Sequence, residues 1–117
     1  MDFIRIGSFL AFCGVALGAF GAHALRNRLS PEMLAVWHTS VLYHLLHAVA
    51  LFGLGLYARS TGADVKTGGL LLTAGVVVFS GSLYALSLTG IKPLGAITPI
   101  GGVLFLAGWA WIAIKGV

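Results

Sequence analysis

Residues 33–58 read MLAVWHTSVLYHLLHAVALFGLGLYA, 26 consecutive positions without Asp, Glu, Lys or Arg. A helix rises about 1.5 Å per residue, and about 20 apolar residues cross the roughly 30 Å of hydrocarbon in a bilayer. The stretch is therefore long enough to span a membrane. A backbone in lipid must satisfy its own hydrogen bonds, which makes the stretch a helix.

The pattern recurs on both sides. Twenty residues between Arg5 and Arg26, 25 between Lys66 and Lys92, and 22 between Lys92 and Lys115 are equally free of charge. The seven Lys and Arg and the three Asp and Glu all fall at edges or in connections. The expected fold is an all-α membrane protein, one bundle of four transmembrane helices over residues 1–117, with spans near 4–25, 33–57, 68–89 and 93–114.

Composition supports this. Apolar residues make up 59% and charged residues 9% of the 117-residue chain, against about 45–50% and about 25% in soluble domains. A soluble fold of this size has too much surface per volume to hide so much hydrocarbon. The net charge of +4 comes from basic residues scattered singly, which suits anionic lipid headgroups and not nucleic acid. The bilayer is the expected partner. Cys13 lies inside an apolar run and reads as a small buried hydrophobe.

Local signals mark the helix ends. Ser30-Pro31-Glu32 combines a cap, a residue that needs no N–H and an acid at the positive dipole end. Arg59 to Lys66 is a polar connection. Pro99 must kink the fourth span or mark its true start. The N-terminus imitates a signal peptide closing on Ala22-His23-Ala24. Its apolar run exceeds the usual core of about 7–15 residues, which favours a retained span. Four Lys and Arg (Arg5, Arg59, Lys66, Lys115) lie on the side of the termini and three (Arg26, Arg28, Lys92) on the other. The positive-inside rule places both termini in the cytoplasm by that one charge.

Packing in lipid depends on close backbone approach and on polar contacts. Gly7, Ala11, Gly14, Gly18 and Gly21 form a small-residue stripe, with Gly14, Gly18 and Gly21 as the expected packing positions. The stripe serves a neighbouring span or a second copy, making a homo-oligomer. Trp109, Trp111 and Lys115 resemble an interfacial anchor, as do Tyr57 and Arg59.

Two polar stripes face the interior: Ser40, His44 and His47 on the second span, and Thr73, Ser80, Tyr84 and Ser87 on the third. At 1.5 Å per residue they outline a polar half-cavity open toward Arg26 and Lys92. His23, His38, Tyr84 and Thr98 stand near its mouth, and His44 and Ser80 lie deeper. Imidazoles bind protons, metals and haem iron, yet no carboxylate or Cys accompanies His44 and His47, so neither a metal site nor a cofactor is expected. The three acids lie at boundaries, and no Ser-His-acid set or phosphate-cradling motif exists.

Several motifs occur in order along the chain. Gly18-Ala19-Phe20-Gly21-Ala22-His23 closes the first span, and Tyr43 and His47 sit in the second. Phe79-Ser80-Gly81-Ser82-Leu83-Tyr84 marks the third. Thr98-Pro99-Ile100-Gly101-Gly102 and Phe105-Leu106-Ala107-Gly108-Trp109 mark the fourth. Together they resemble the YgdD/YwdK-like family of small bacterial inner-membrane proteins, a domain of unknown function. The resemblance implies a four-span inner-membrane protein and supplies no reaction, substrate or cofactor. Its pattern covers His23, Tyr43, His47, Ser80, Ser82 and Tyr84. It leaves His38 and His44 where relatives are expected to vary, which weighs against a four-histidine metal site.

The candidate intramembrane site is thus His23, Tyr43, His44, His47, Ser80, Ser82, Tyr84 and Thr98. The leading expectation is a non-enzymatic structural, accessory or self-assembling bundle with no known small-molecule ligand. The alternatives are an oligomeric channel or transporter for a proton or small solute, and a metal- or haem-binding subunit.

Overall fold

Four long helices carry the chain in a computed structural model that describes residues 2–117: α1 (Phe3–Leu25), α2 (Pro31–Thr61), α3 (Lys66–Thr89) and α4 (Lys92–Lys115). Each is long and apolar enough to cross a membrane. No strand forms among the described residues. The bundle measures 47 × 26 × 18 Å.

Side chains fix the ends. Asp2 Oδ1 accepts from the N–H groups of Ile4 at 3.0 Å and Arg5 at 3.3 Å, capping α1. Ser30 Oγ accepts from Met33 N–H at 3.1 Å, and Pro31 follows it at the first turn of α2. Gly62 ends α2 and Gly90 ends α3 with φ of 74° and 69°, a left-handed conformation that a Cβ would strain. Asp64 Oδ1 accepts from Lys66 N–H at 3.0 Å and starts α3. The helices overrun the charge-free runs, so Glu32 and Arg59 are helical residues of α2. A helix that has left the hydrocarbon has no reason to stop there.

Three of the helices are irregular. A π-helical turn occupies Leu17–Gly21 in α1 and another Val76–Ser80 in α3. Such turns hold an extra residue and disturb the regular backbone ladder. The first turn of α4, Lys92–Ala96, is 3₁₀, and regular α-helix begins at Thr98, with Pro99 in its first turn. Pro99 therefore marks the start of the α-helical segment, where its missing N–H is harmless.

Each helix packs chiefly on its neighbours in sequence. Glycines bring α1 close to α2: a Cβ on Gly7 would lie 2.7 Å from the Ala48 carbonyl, and one on Gly14 2.6 Å from Leu45 Cδ2. Gly18 faces Val41 and Gly21 faces the Trp37 ring. The small-residue stripe of the first span is thus occupied by the second span of the same chain. Gly101 and Gly108 seat α4 on Phe79 and Leu72 of α3 in the same way.

The interior has two halves. Near the termini, Phe3, Leu51, Val65, Leu72, Val76 and Phe105 form an apolar core. Toward the α1–α2 connection the interior is polar, with Ser40, His44, Ser80 and Ser82 buried. Large apolar side chains cover the outside: Phe12 is 74% exposed, Phe20 76% and Ile114 81%. Lipid is the solvent that such a surface requires.

Candidate intramembrane site

The polar residues of α2 and α3 meet in one seam, because each set repeats at helical spacing and the helices are antiparallel neighbours. Ser40 Oγ donates to the Ser80 carbonyl at 2.8 Å, and Ser80 Oγ donates to the Ser40 carbonyl at 2.9 Å. One turn along, the Tyr84 hydroxyl lies 2.8 Å from His44 Nδ1, while His44 Nε2 lies 2.7 Å from the Leu10 carbonyl of α1. A carbonyl only accepts, so Nε2 carries the proton. In the neutral ring Nδ1 then accepts from Tyr84. His44 joins three helices.

His47 has the opposite tautomer. Its Nδ1 lies 2.7 Å from the Tyr43 carbonyl and donates to it. Its Nε2 accepts from Trp109 Nε1–H at 3.0 Å. An indole N–H can only donate, so this imidazole is neutral. The ring stacks on Phe105 with centroids 3.8 Å apart and planes 13° from parallel. Trp109, read from sequence as an interfacial anchor, therefore belongs to the seam. Trp111 keeps the anchor geometry, with Lys115 Nζ 5.3 Å from its ring centre.

Two more bonds complete the network. Ser82 Oγ donates to the Phe79 carbonyl at 2.8 Å, so the Thr98 hydroxyl at 2.6 Å is the donor in their contact, tying α3 to α4. Trp37 Nε1–H donates to the Leu17 carbonyl at 3.0 Å, at the first residue of the π turn in α1.

Of the residues singled out from sequence, the structure joins Ser80 to Ser40, His44 to Tyr84, Ser82 to Thr98 and His47 to Trp109. Tyr43 stands at the edge, its ring 4.7 Å from Phe79. His23 and His38 are exposed and stand apart. Thr73 and Ser87 donate to Gly69 and Leu83 on their own helix, so their hydroxyls do not join the seam. The half-cavity expected around these groups is replaced by a closed network. Ser40 and Ser80 are 0% and 1% exposed, and no buried side-chain polar atom lacks a partner among the described residues.

Sequence reasoning missed the backbone acceptors Leu10 and Leu17, the bond from Trp109 to His47 and both π turns. One signal was present for Trp109. It follows Phe105 by four residues and so shares the packed face of α4.

The fold and seam define a multi-pass α-helical membrane protein whose helices are joined by intramembrane hydrogen bonds. A family model described as "Protein of unknown function (DUF423)" matches residues 17–102, and the chain belongs to that family. It is 48% identical over 117 residues to the UPF0382 membrane protein YwdK of Bacillus subtilis, covering 98% of this chain and 95% of the relative. It is 47% identical over 112 residues to a UPF0382 membrane protein of Staphylococcus saprophyticus, covering 96% and 93%. These matches bear out the YwdK-like resemblance drawn from the motifs. No solved structure matches the chain.

Proposed function

We propose that the protein is a non-enzymatic structural or accessory bundle of the bacterial inner membrane, in which the His, Ser and Tyr side chains hold helices together. One observation carries this reading. Both nitrogens of His44 and both of His47 are engaged by protein groups. A ring so engaged offers a metal or haem iron no lone pair, and it can relay a proton only after breaking a bond.

The all-α architecture supports the inner membrane, since the usual outer-membrane spanning fold is a closed β-barrel. The four-to-three distribution of Lys and Arg supports cytoplasmic termini. Self-association, where it occurs, has to use surfaces other than the glycine face of α1, which α2 occupies.

Reconstitution tests the reading. Liposomes holding the purified protein should pass protons and small solutes no faster than empty ones, and the protein should be colourless. His47→Ala and Tyr84→Phe should lower stability alone. Flux that disappears in these variants would establish the transporter reading instead. For orientation, single cysteines at Asn27 and Ala63 in a Cys13→Ser background should react from outside the cell at Asn27 only.

A further inference from the structure

Beyond the seam, a groove of about 440 Å³ opens to the membrane between α2, α3 and α4. This volume lies within the roughly 300–1,000 Å³ of small-molecule sites. Its walls include Tyr43, Phe79, Phe105, Leu106 and Trp109, and Gly102 leaves part of the α4 wall without a side chain. The rings form a continuous aromatic lining: Tyr43 lies 4.7 Å from Phe79 and 6.2 Å from Phe105, and Phe79 lies 5.4 Å from Phe105.

Among the described residues that line the groove, one polar side-chain group is left over. The Tyr84 hydroxyl donates to His44, the His47 ring is engaged at both nitrogens, and the Trp109 N–H is used on His47. The Tyr43 hydroxyl has no hydrogen-bond partner among the described residues. Tyr43 is the eleventh residue of the 33–58 charge-free run, about 15 Å along it. That depth is near the middle of the hydrocarbon, where no water reaches and an unpaired hydroxyl is costly.

The leftover donor selects the occupant. A phospholipid tail fills an apolar groove but has no acceptor at this depth, because its ester carbonyls stay near the surface, about 15 Å away. A helix of a second copy is about 10–12 Å across with its side chains, too thick to carry a backbone carbonyl into a groove of about 440 Å³. What suits both the aromatic walls and the phenol is a lipid-soluble molecule with a flat conjugated ring and a carbonyl. We propose that the groove binds a molecule of the quinone class, with its ring between the aromatic side chains and a carbonyl accepting from the Tyr43 hydroxyl.

The test uses full-length protein in nanodiscs of saturated phosphatidylcholine, titrated with decylubiquinone and followed by tryptophan fluorescence and thermal stability. Wild type should show saturable quenching and a raised melting temperature. Tyr43→Phe keeps the ring and loses only the donor, so it should fold and bind about three- to tenfold more weakly. Gly102→Leu should abolish binding; the nearest obstacle to a Cβ there is Phe79 Cδ2 at 4.0 Å, so the side chain enters the groove without displacing backbone. Absence of saturable binding by wild type overturns the proposal. So does equal affinity in folded Tyr43→Phe, or undiminished binding in Gly102→Leu. Disulfide trapping between copies at Gly102→Cys in a Cys13→Ser background would assign the groove to a second copy, and overturns it too.

Discussion

Ser40 and Ser80 each donate a hydroxyl to the other's backbone carbonyl, at 2.8 and 2.9 Å, across the α2–α3 contact. The pair brings the two backbones as close as small side chains allow and leaves no polar atom facing hydrocarbon. Ser80 is also the last residue of the π turn in α3. The irregular turn and the latch therefore sit at one point, as expected if the altered local ladder helps to present that carbonyl sideways.

Because each bond has its own donor and its own acceptor, removing one hydroxyl leaves the other bond intact. Ser40→Ala and Ser80→Ala should each lower stability by about 0.5–1.5 kcal/mol, the range of interhelical polar contacts in membranes. The double variant should lose close to the sum. Reversible unfolding in mixed micelles measures all three, and a coupling energy well above about 0.5 kcal/mol would refute independent bonds.

Glycines divide sharply by what surrounds them. A Cβ on Gly7 meets the Ala48 carbonyl at 2.7 Å, and Cβ atoms on Gly55 and Gly101 collide with the backbones of Ile4 and Phe79. A Cβ on Gly53 would meet no neighbouring element within 4 Å among the described residues. Gly7→Ala, Gly55→Ala and Gly101→Ala should each destabilise by several kcal/mol or prevent folding, since backbone cannot move aside as a side chain can. Gly53→Ala should be neutral or stabilising by up to about 1 kcal/mol, the helix-propensity difference. Melting temperatures in detergent separate the two groups.

Trp37 joins α2 to the π turn of α1 through its indole N–H and the Leu17 carbonyl, 3.0 Å apart. Trp37→Phe keeps most of the ring and loses the donor, leaving a carbonyl with one partner fewer. A loss of about 1 kcal/mol is expected. Faster hydrogen exchange should appear at residues 17–21 and not in α4. Uniform exchange along all four helices would show that the bond does not hold that turn in place.

Charge spacing made the helices legible because it is a one-dimensional pattern that packing does not alter. The polar partners were half legible. Ser40 with His44, and Ser80 with Tyr84, are four residues apart, so each pair shares a helix face and the two faces were bound to meet. Thr73 and Ser87 share the stripe of Ser80 and Tyr84 in sequence, but a hydroxyl can turn back to the carbonyl four residues earlier, and theirs do. Nothing in the side chains of Leu10 or Leu17 announces a backbone acceptor. The π turns leave only a weak signature: Leu17–Gly21 holds two glycines and Val76–Ser80 three β-branched valines, poor helix formers that also occur in the regular turns of this chain.

The two buried histidines should carry their protons on opposite nitrogens. His44 faces the Leu10 carbonyl with Nε2, and His47 faces the Tyr43 carbonyl with Nδ1. Nitrogen-15 NMR of selectively labelled protein in bilayers should resolve one Nε2–H and one Nδ1–H ring, assigned through His44→Gln and His47→Gln. Trp109→Phe removes the indole donor to His47 Nε2. It should shift that nitrogen's resonance, lower stability by about 1 kcal/mol, and leave the His44 signals in place. If both rings show the same tautomer, the hydrogen-bond assignment on which the closed seam depends is wrong.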